Sequence, residues 1–338
     1  MPDVMVVGSY NAGLTVYTDR LPTSGQTVVG SDLNDGPGGK GANQAIGIHR
    51  LGVDVGLVVK IGKDAFGERA RQMLAGEGLP AAGILTGDRP TGMAMIIVDG
   101  AGDNLIVVAP GANGELGWGE VMHRFRAELN QCRWIVLQLE CPTELAVAAA
   151  RWARANGKRT VLDPAPCRGL TADTVGLFDI LTPNESELAE LGTLVGLSGR
   201  SVVEQATGLV DLGVPDVVAT LGENGVLWAS ERGWSELGGY KVEAVDTTGA
   251  GDAFNAALVA SLSRDETMAQ ALDLGCRAGA WCVMHRGVVD GLPTPDQLAS
   301  LDTQAGGHGG PWSFSHAPTR SIKVNAPQGE GGVRGHIG

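Results

Sequence analysis

The chain has 338 residues, 43% of them hydrophobic, with a mean hydropathy of +0.05; this is enough apolar material for a large buried core and unlike a disordered chain. Lys and Arg number 25 against 38 Asp and Glu, a net charge of −13, which argues against nucleic acid or an anionic membrane as partner because both need basic patches. No run approaches the ~20 apolar residues of a membrane span, and the five cysteines (Cys132, Cys141, Cys167, Cys276, Cys282) contain no CxxC pair, as expected of reduced thiols in a cytoplasmic protein.

The first eight residues carry no basic signal-like region, and Val4–Val7 reads as a strand. Residues 11–35 are polar and turn-rich, with short alternating stretches at 14–17 and 27–29. A helix is predicted over 42–50, a strand over Val55–Ile61 and an amphipathic helix over Ala65–Gly76. Residues 93–98 and 105–108 flank the turn Asp99-Gly100-Ala101-Gly102-Asp103-Asn104, a hairpin signature. Buried strands are expected at 134–139, 160–162, 180–182 and 217–221, with an Ala-rich helix over 144–156. Residues 226–229 and 240–245 read as antiparallel strands near the sheet edge. Continuous apolar strands alternating with helices imply an α/β fold with a mostly parallel sheet covered on both faces. The two segments that break this rhythm, about 11–36 and 91–109, fit a small antiparallel sheet serving as a lid or as an edge for dimer pairing. From about residue 302 the chain is rich in Gly, Pro and His without a hydrophobic period. It reads as a flexible tail, 302–338, outside a domain spanning 1–301; His308, His316 and His336 are weak candidates there for a metal site.

Glycine numbers 52 and clusters at short sites where backbone must turn or approach a ligand. The strongest such site is Asp246-Thr247-Thr248-Gly249-Ala250-Gly251-Asp252, delivering the chain into an apolar helix. Free amides at that helix start and its dipole suit an anion hole, and Asp252 in the first turn could accept a proton from a hydroxyl. An ordinary N-cap aspartate after a glycine turn is the competing reading. The second site, Gly36-Pro37-Gly38-Gly39-Lys40-Gly41-Ala42-Asn43, also opens a helix. It is neither a dinucleotide fingerprint nor a P-loop, since Gly41 stands where a magnesium-binding Ser or Thr would follow the lysine. Close backbone approach with Lys40 and Asn43 as hydrogen-bonding heads suits a neutral polyol; a plain flexible turn is the competing reading here.

Together the two sites resemble the signature regions of the ribokinase-like (phosphofructokinase B) carbohydrate kinases. Further landmarks follow the same order: Gly8-Ser9-Tyr10-Asn11-Ala12, Gln138-Leu139-Glu140, Asp163-Pro164-Ala165-Pro166, Thr182-Pro183-Asn184-Glu185 and Thr220-Leu221-Gly222. The resemblance implies a three-layer sandwich with a small β lid that often mediates dimerisation, and ATP-dependent phosphorylation of a primary hydroxyl on a small sugar, ribose foremost. It implies Asp252 as base, Gly249, Ala250 and Gly251 as anion hole, and Asn11, Gly13, Gly39, Lys40, Asn43 and Glu140 around the sugar. Asn184, Thr220, Gly222, Gly225, Gly251 and Cys276 would line the nucleotide site. Glu187 would place Mg²⁺ through water, and Asp246, Thr248, Cys282, His285, Gly287 and Gly291 would surround a K⁺ ion. For Glu187 the competing reading is a solvated first-turn carboxylate, and for His285 a helix-end histidine stabilised by the dipole.

One position departs from the family pattern. Gly13 stands where a ribose-phosphorylating member has an aspartate gripping sugar hydroxyls, so the competing expectation to ribose is a substrate that lacks a hydroxyl there, differs in stereochemistry or carries a larger group. A nucleoside kinase is the nearest rival, with Tyr10, Tyr17 and Phe66 as the few aromatic shelves on offer. Another pentose or hexose kinase, a nicotinamide dehydrogenase and a non-catalytic sugar-binding regulator also compete. The dehydrogenase lacks a fingerprint after the first strand, and the regulator would have lost the base or the anion hole.

Overall fold

Alternate side chains of the first strand enter different cores, and this alternation builds the molecule. Val4 and Val6 belong to one apolar cluster, Met5 and Val7 to another on the opposite face of the sheet. The computed structural model describes residues 2–100 and 103–305. In chain order β1 (Val4–Val7) is followed by β2 (Asn11–Tyr17), β3 (Asp32–Gly38), α1 (Lys40–Arg50), β4 (Val55–Ile61), α2 (Ala65–Gly76) and β5 (Ile84–Thr86). Next come β6 (Gly92–Val98), β7 (Asn104–Ala109), α3 (Trp118–Gln131), β8 (Trp134–Gln138), α4 (Thr143–Ala155), β9 (Arg159–Asp163) and α5 (Ala172–Val175). The chain continues through β10 (Ile180–Leu181), α6 (Glu185–Leu194), α7 (Val202–Asp211), β11 (Asp216–Thr220), β12 (Val226–Ser230) and β13 (Gly233–Leu237). It closes with α8 (Ala250–Ser263), α9 (Met268–Val283), α10 (Val288–Gly291) and α11 (Pro295–Ala305).

The large sheet has nine strands in the order β13-β12-β11-β10-β9-β8-β1-β4-β5. Neighbours from β11 to β5 run parallel, and β12 and β13 add antiparallel strands at one edge. One face packs against α1, α8 and α9, the other against α3, α4, α6 and α7. α8 is enclosed on all sides, with twelve residues buried. Small residues let its neighbours approach: a Cβ on Gly47 of α1 would lie 2.6 Å from Ala256, and one on Gly275 of α9 would strike the Phe254 ring at 2.7 Å. Reciprocal capping boxes at Asn184/Glu187, Ser201/Glu204 and Thr267/Gln270 fix where α6, α7 and α9 begin.

The smaller sheet has the order β3-β2-β6-β7. Its two outer pairs are antiparallel, while β2 and β6 run parallel at its centre, since they come from separate insertions.

Three expectations need correction. Residues 27–29 form no strand; Val29 is exposed, and the partner of β2 is Asp32–Gly38. That sequence, Asp-Leu-Asn-Asp-Gly-Pro-Gly, carries turn composition and becomes a strand only through pairing with β2. Residues 240–245 are irregular, and the edge strand is β13 at Gly233–Leu237. Gly238 and Gly239 break the chain there; a Cβ at Gly239 would overlap the Glu223 carbonyl. The final helix runs to Ala305, past the boundary expected at 301, and 306–338 with its three histidines lies outside the described residues.

Candidate active site

The carboxyl ends of parallel strands point to one rim of the sheet, where open α/β sheets bind ligands. Ser9 follows β1, Gln138 ends β8 with Glu140 two residues on, and Asp163 ends β9. Above this rim stand the first turns of α1 and α8 and the start of β2.

Glu140 gathers three segments. Its carboxylate accepts from the Ser9 hydroxyl, from Asn11 Nδ2 at 3.0 Å and from the Lys40 amide at 2.8 Å. Asn11 is fixed from its other side by Asn113, whose Nδ2 donates to Asn11 Oδ1 at 2.8 Å and to the Tyr10 carbonyl at 2.9 Å. Gly39 opens α1 at φ 94, a conformation costly for other residues, and a Cβ there would lie 2.6 Å from the Asn11 amide. Gly13 lies two residues along β2 on the same face as Asn11, opposite Gly36 and Ala94. Asn11, Gly39, Lys40, Asn43 and Glu140 are thus brought together.

Asp252, in the first turn of α8, is 5% exposed. Its Oδ2 accepts from Asn43 Nδ2 at 2.7 Å and its Oδ1 from Gln44 Nε2 at 3.0 Å. Burial pushes its carboxyl up to about 6, with nearby Asp163 adding and Lys40 opposing. Lys40 Nζ lies 3.1 Å from Asp163 Oδ2. Burial alone would lower the lysine, but Asp163, Asp252, Glu187 and Glu140 outweigh it and hold the ammonium well above its usual range. Gly249 takes the left-handed conformation at φ 86, packed on Val288, and no side chain caps α8. Open space lies where a Cβ on Gly251 would be.

Four of the residues expected around a nucleotide, Asn184, Thr220, Gly222 and Gly225, fall at or just past the ends of β10 and β11, while Gly251 is on α8 and Cys276 on α9. Asn184 bridges to Thr220, and its side chain accepts from the Glu187 amide at 2.8 Å. Gly222 (φ 57) and Gly225 (φ 92) bracket a short turn, and a Cβ on Gly225 would overlap the Leu237 carbonyl. Cys276 is buried on α9 within the core shared with α8, and burial pushes its thiol up to about 12. Glu187 is half-buried; burial raises its carboxyl, Lys40 opposes, and Asp163 adds. It therefore belongs to the same charge cluster as Lys40.

Three backbone segments converge beside the start of α8. Asp246 accepts from the Thr248 amide at 2.9 Å and the Gly287 amide at 3.2 Å. Cys282 Sγ donates to the Thr248 carbonyl at 3.7 Å, and a Cβ on Gly291 would lie 3.0 Å from the Cys282 carbonyl. The His285 ring, just past the end of α9, turns back onto that helix, 2.9 Å from the Trp281 carbonyl and stacked on the Trp281 ring.

The profile of the pfkB family carbohydrate kinases matches residues 1–295. The ribokinase of Haemophilus influenzae is 36% identical over 291 residues, 86% of this chain and 94% of that one. This chain belongs to the pfkB family of carbohydrate kinases. The structure of Thermotoga maritima ribokinase superposes with a TM-score of 0.83 at 31% identity, covering 90% of this carbohydrate kinase and all of that chain. The Arabidopsis thaliana ribokinase complexed with ribose and ATP superposes at 0.77 and 26% identity, over 89% and 98% of the two chains.

Several residues of this kinase's rim carry no assignment from sequence. Ser9, Gln44, Gln138, Asp163 and Asn255 lie inside or beside the landmarks, but their polar side chains look alike there whether they face ligand or core. Asn113 sits in a short helical turn (Gly111–Glu115) with no local signal, and only the fold brings it to Asn11.

Proposed function

We propose that this protein transfers the γ-phosphoryl group of ATP to the primary hydroxyl of a small sugar, ribose foremost, giving ribose 5-phosphate. The observation that carries this reading is the pairing of Asp252 with Asn43: a buried carboxylate at an uncapped, glycine-entered helix start, held beside the polar rim of Lys40, Asn11 and Glu140. The relative whose structure holds both ribose and ATP supports the choice of ligands.

In this reading Asn11, Gly39, Lys40, Asn43 and Glu140 orient the sugar. The short sugar is gripped by groups already locked to one another, so little side-chain entropy is lost on binding. Asp252, ionised near neutral pH, takes the proton of the attacking hydroxyl. The amides of Gly249, Ala250 and Gly251 face the phosphoryl group and stabilise the charge that spreads over its oxygens. Asn184, Thr220, Gly222, Gly225 and Cys276 line the nucleotide path that leads to Gly251. Mg²⁺ enters with the nucleotide, and Glu187, tied into the Lys40 cluster, suits holding its waters.

The donor set at 246–291 fits a monovalent cation. It offers one carboxylate and backbone oxygens, hard donors that suit an alkali ion better than a soft transition metal. Asp246, Thr248, Cys282, Gly287 and Gly291 would hold K⁺, with His285 contributing through its backbone. Such an ion would supply positive potential beside the anion hole.

The lid's outer face supports a homodimer. Leu14, Val16, Leu33, Met95, Ile97, Leu105 and Val107 share that face by register, and Val107 is 67% and Leu33 61% exposed. Apolar patches of this kind mark interfaces. The kinase domain is read as running through α11, with the tail after it. No helix among the described residues is long and apolar enough to cross a membrane, and reduced cysteines suit a cytoplasmic setting.

An ADP-release screen over ribose, deoxyribose, other pentoses, hexoses and nucleosides, with and without K⁺, tests the reading. Turnover with a pentose supports it; turnover only with nucleosides moves the assignment to a nucleoside kinase, and no turnover with any of them overturns it.

A further inference from the structure

Lys40, Asn43 and Gln44 occupy positions i, i+3 and i+4 of α1 and share one face. That face meets two buried carboxylates, Asp163 from the end of β9 and Asp252 from α8. Lys40 reaches the first and Asn43 the second. Gln44 reaches both: its Nε2 lies 2.9 Å from Asp163 Oδ2 and 3.0 Å from Asp252 Oδ1. A single amide group therefore bridges two carboxylates that come from different layers of the fold.

The orientation of that amide is fixed from behind. Gln138 Nε2 donates to Gln44 Oε1 at 2.7 Å, so the Gln44 –NH₂ must face the anions. Gln138 has its own seat, since a Cβ on Gly8 would overlap its Oε1. Asn255 Nδ2 adds a longer contact of 3.3 Å to Asp163 Oδ2. Gln44 is fully buried, so no water exchange relieves this arrangement.

We propose that Gln44 is a positioning residue for the base: by holding Asp163 and Asp252 on one amide, it makes the pair, rather than Asp252 alone, set the pH at which the sugar hydroxyl gives up its proton. The proposal rests on the kinase reading given above. Burial is the largest influence disfavouring ionisation of Asp252 and the like charge of Asp163 adds to it, while the Lys40 charge and the donors Asn43 and Gln44 favour ionisation. Around Asp252 the charged and titratable groups are Lys40 on α1, Asp163 on β9 and Cys282 on α9. Take away the bridge and Asp252 keeps the neighbouring like charge with one donor fewer, so it holds its proton to higher pH.

The test is the pH profile of kcat/KM for ribose at saturating ATP in the wild type, Gln44→Met and Asp163→Asn. The acid limb of Gln44→Met is expected to move up by about one pH unit, roughly a tenfold loss at the foot of the profile. That of Asp163→Asn is expected to move down by a similar amount, with KM for ATP little changed in both. A merely structural role would lower the plateau and leave both limbs in place, which overturns the proposal. The same ionisation is read without substrate from Tm between pH 4 and 7: the decline on raising pH should be shallower in Asp163→Asn than in the wild type. Absence of ribose turnover would count against the kinase reading, whereas an unmoved Tm profile would count against the pair. Should Gln44→Met fail to fold, Asp163→Asn, which keeps the side-chain shape, decides alone.

Discussion

Asn43 Nδ2 donates to Asp252 Oδ2 across 2.7 Å, tying the first turn of α1 to the first turn of α8. The carboxylate is thereby fixed between two helices whose partners lie 209 positions apart in sequence. An asparagine in its place keeps the shape but removes the carboxylate that the proposed mechanism uses as base. Asp252→Asn is expected to lower kcat by about 10²- to 10⁴-fold while leaving ATP affinity nearly unchanged. Steady-state kinetics with a nucleotide-binding titration checks both halves.

The pH dependence follows from the same carboxyl. With its proton affinity pushed up to about 6 by burial, Asp252 is ionised above that pH and protonated below it. Activity should therefore fall about tenfold per pH unit below pH 6. Stability moves the other way: a carboxyl raised on folding favours the native state fully below about pH 4 and loses that contribution as pH rises through 6. Thermal melts of wild type against Asp252→Asn between pH 4 and 7 should show the wild type losing ground as pH rises.

Gly39 holds the entrance to α1. A Cβ there would meet the Asn11 amide at 2.6 Å and Tyr10 Cα at 2.7 Å, both backbone atoms that cannot swing aside. Gly39→Ala should cost about 1–3 kcal/mol and raise KM for the sugar more than KM for ATP, because the displaced segment carries Asn11 and Lys40. Chemical denaturation and the two KM values test this.

At Gly13 the lid presents no side chain, and the neighbours across the sheet are Gly36 and Ala94. A Cβ there would lie 3.0 Å from the Gly36 carbonyl, tight but next to open space at Gly36 itself. Placing a carboxylate there, Gly13→Asp, should raise the ratio of ribose to 2-deoxyribose kcat/KM, since each charge-assisted bond to a hydroxyl contributes about 1.5–3 kcal/mol. An unchanged ratio would show that position 13 does not discriminate. A strong ribose preference in the wild type would remove the idea of a shifted substrate.

The lid's outer face should behave as an interface. Val107→Asp places a charge on the β7 edge of the patch, beside Met95, and is expected to convert a dimer to a monomer on size-exclusion chromatography with light scattering.

Much of this was legible in the sequence because the informative signals are local. The sequence alone bounds α2 at Ala65–Gly76, since the Asp64 cap and the apolar period are both short-range. The two glycine-entered helices were also visible, because a positive φ at Gly39 and Gly249 demands glycine whatever surrounds it. β3 was not, because its residues favour turns and its strand form depends on β2. The same holds for Gln44 and Asn113: their chemistry comes from partners 119 and 102 positions away, Asp163 and Asn11, and no spacing rule encodes such pairings.

The most direct measurement is a crystal structure with ribose and a non-hydrolysable ATP analogue bound together. The account expects the ribose primary hydroxyl at about 2.6–3.2 Å from an Asp252 oxygen, with the terminal phosphate against the amides of residues 249–251. A phosphate tail directed away from that helix start, or a sugar whose primary hydroxyl faces elsewhere, would contradict it.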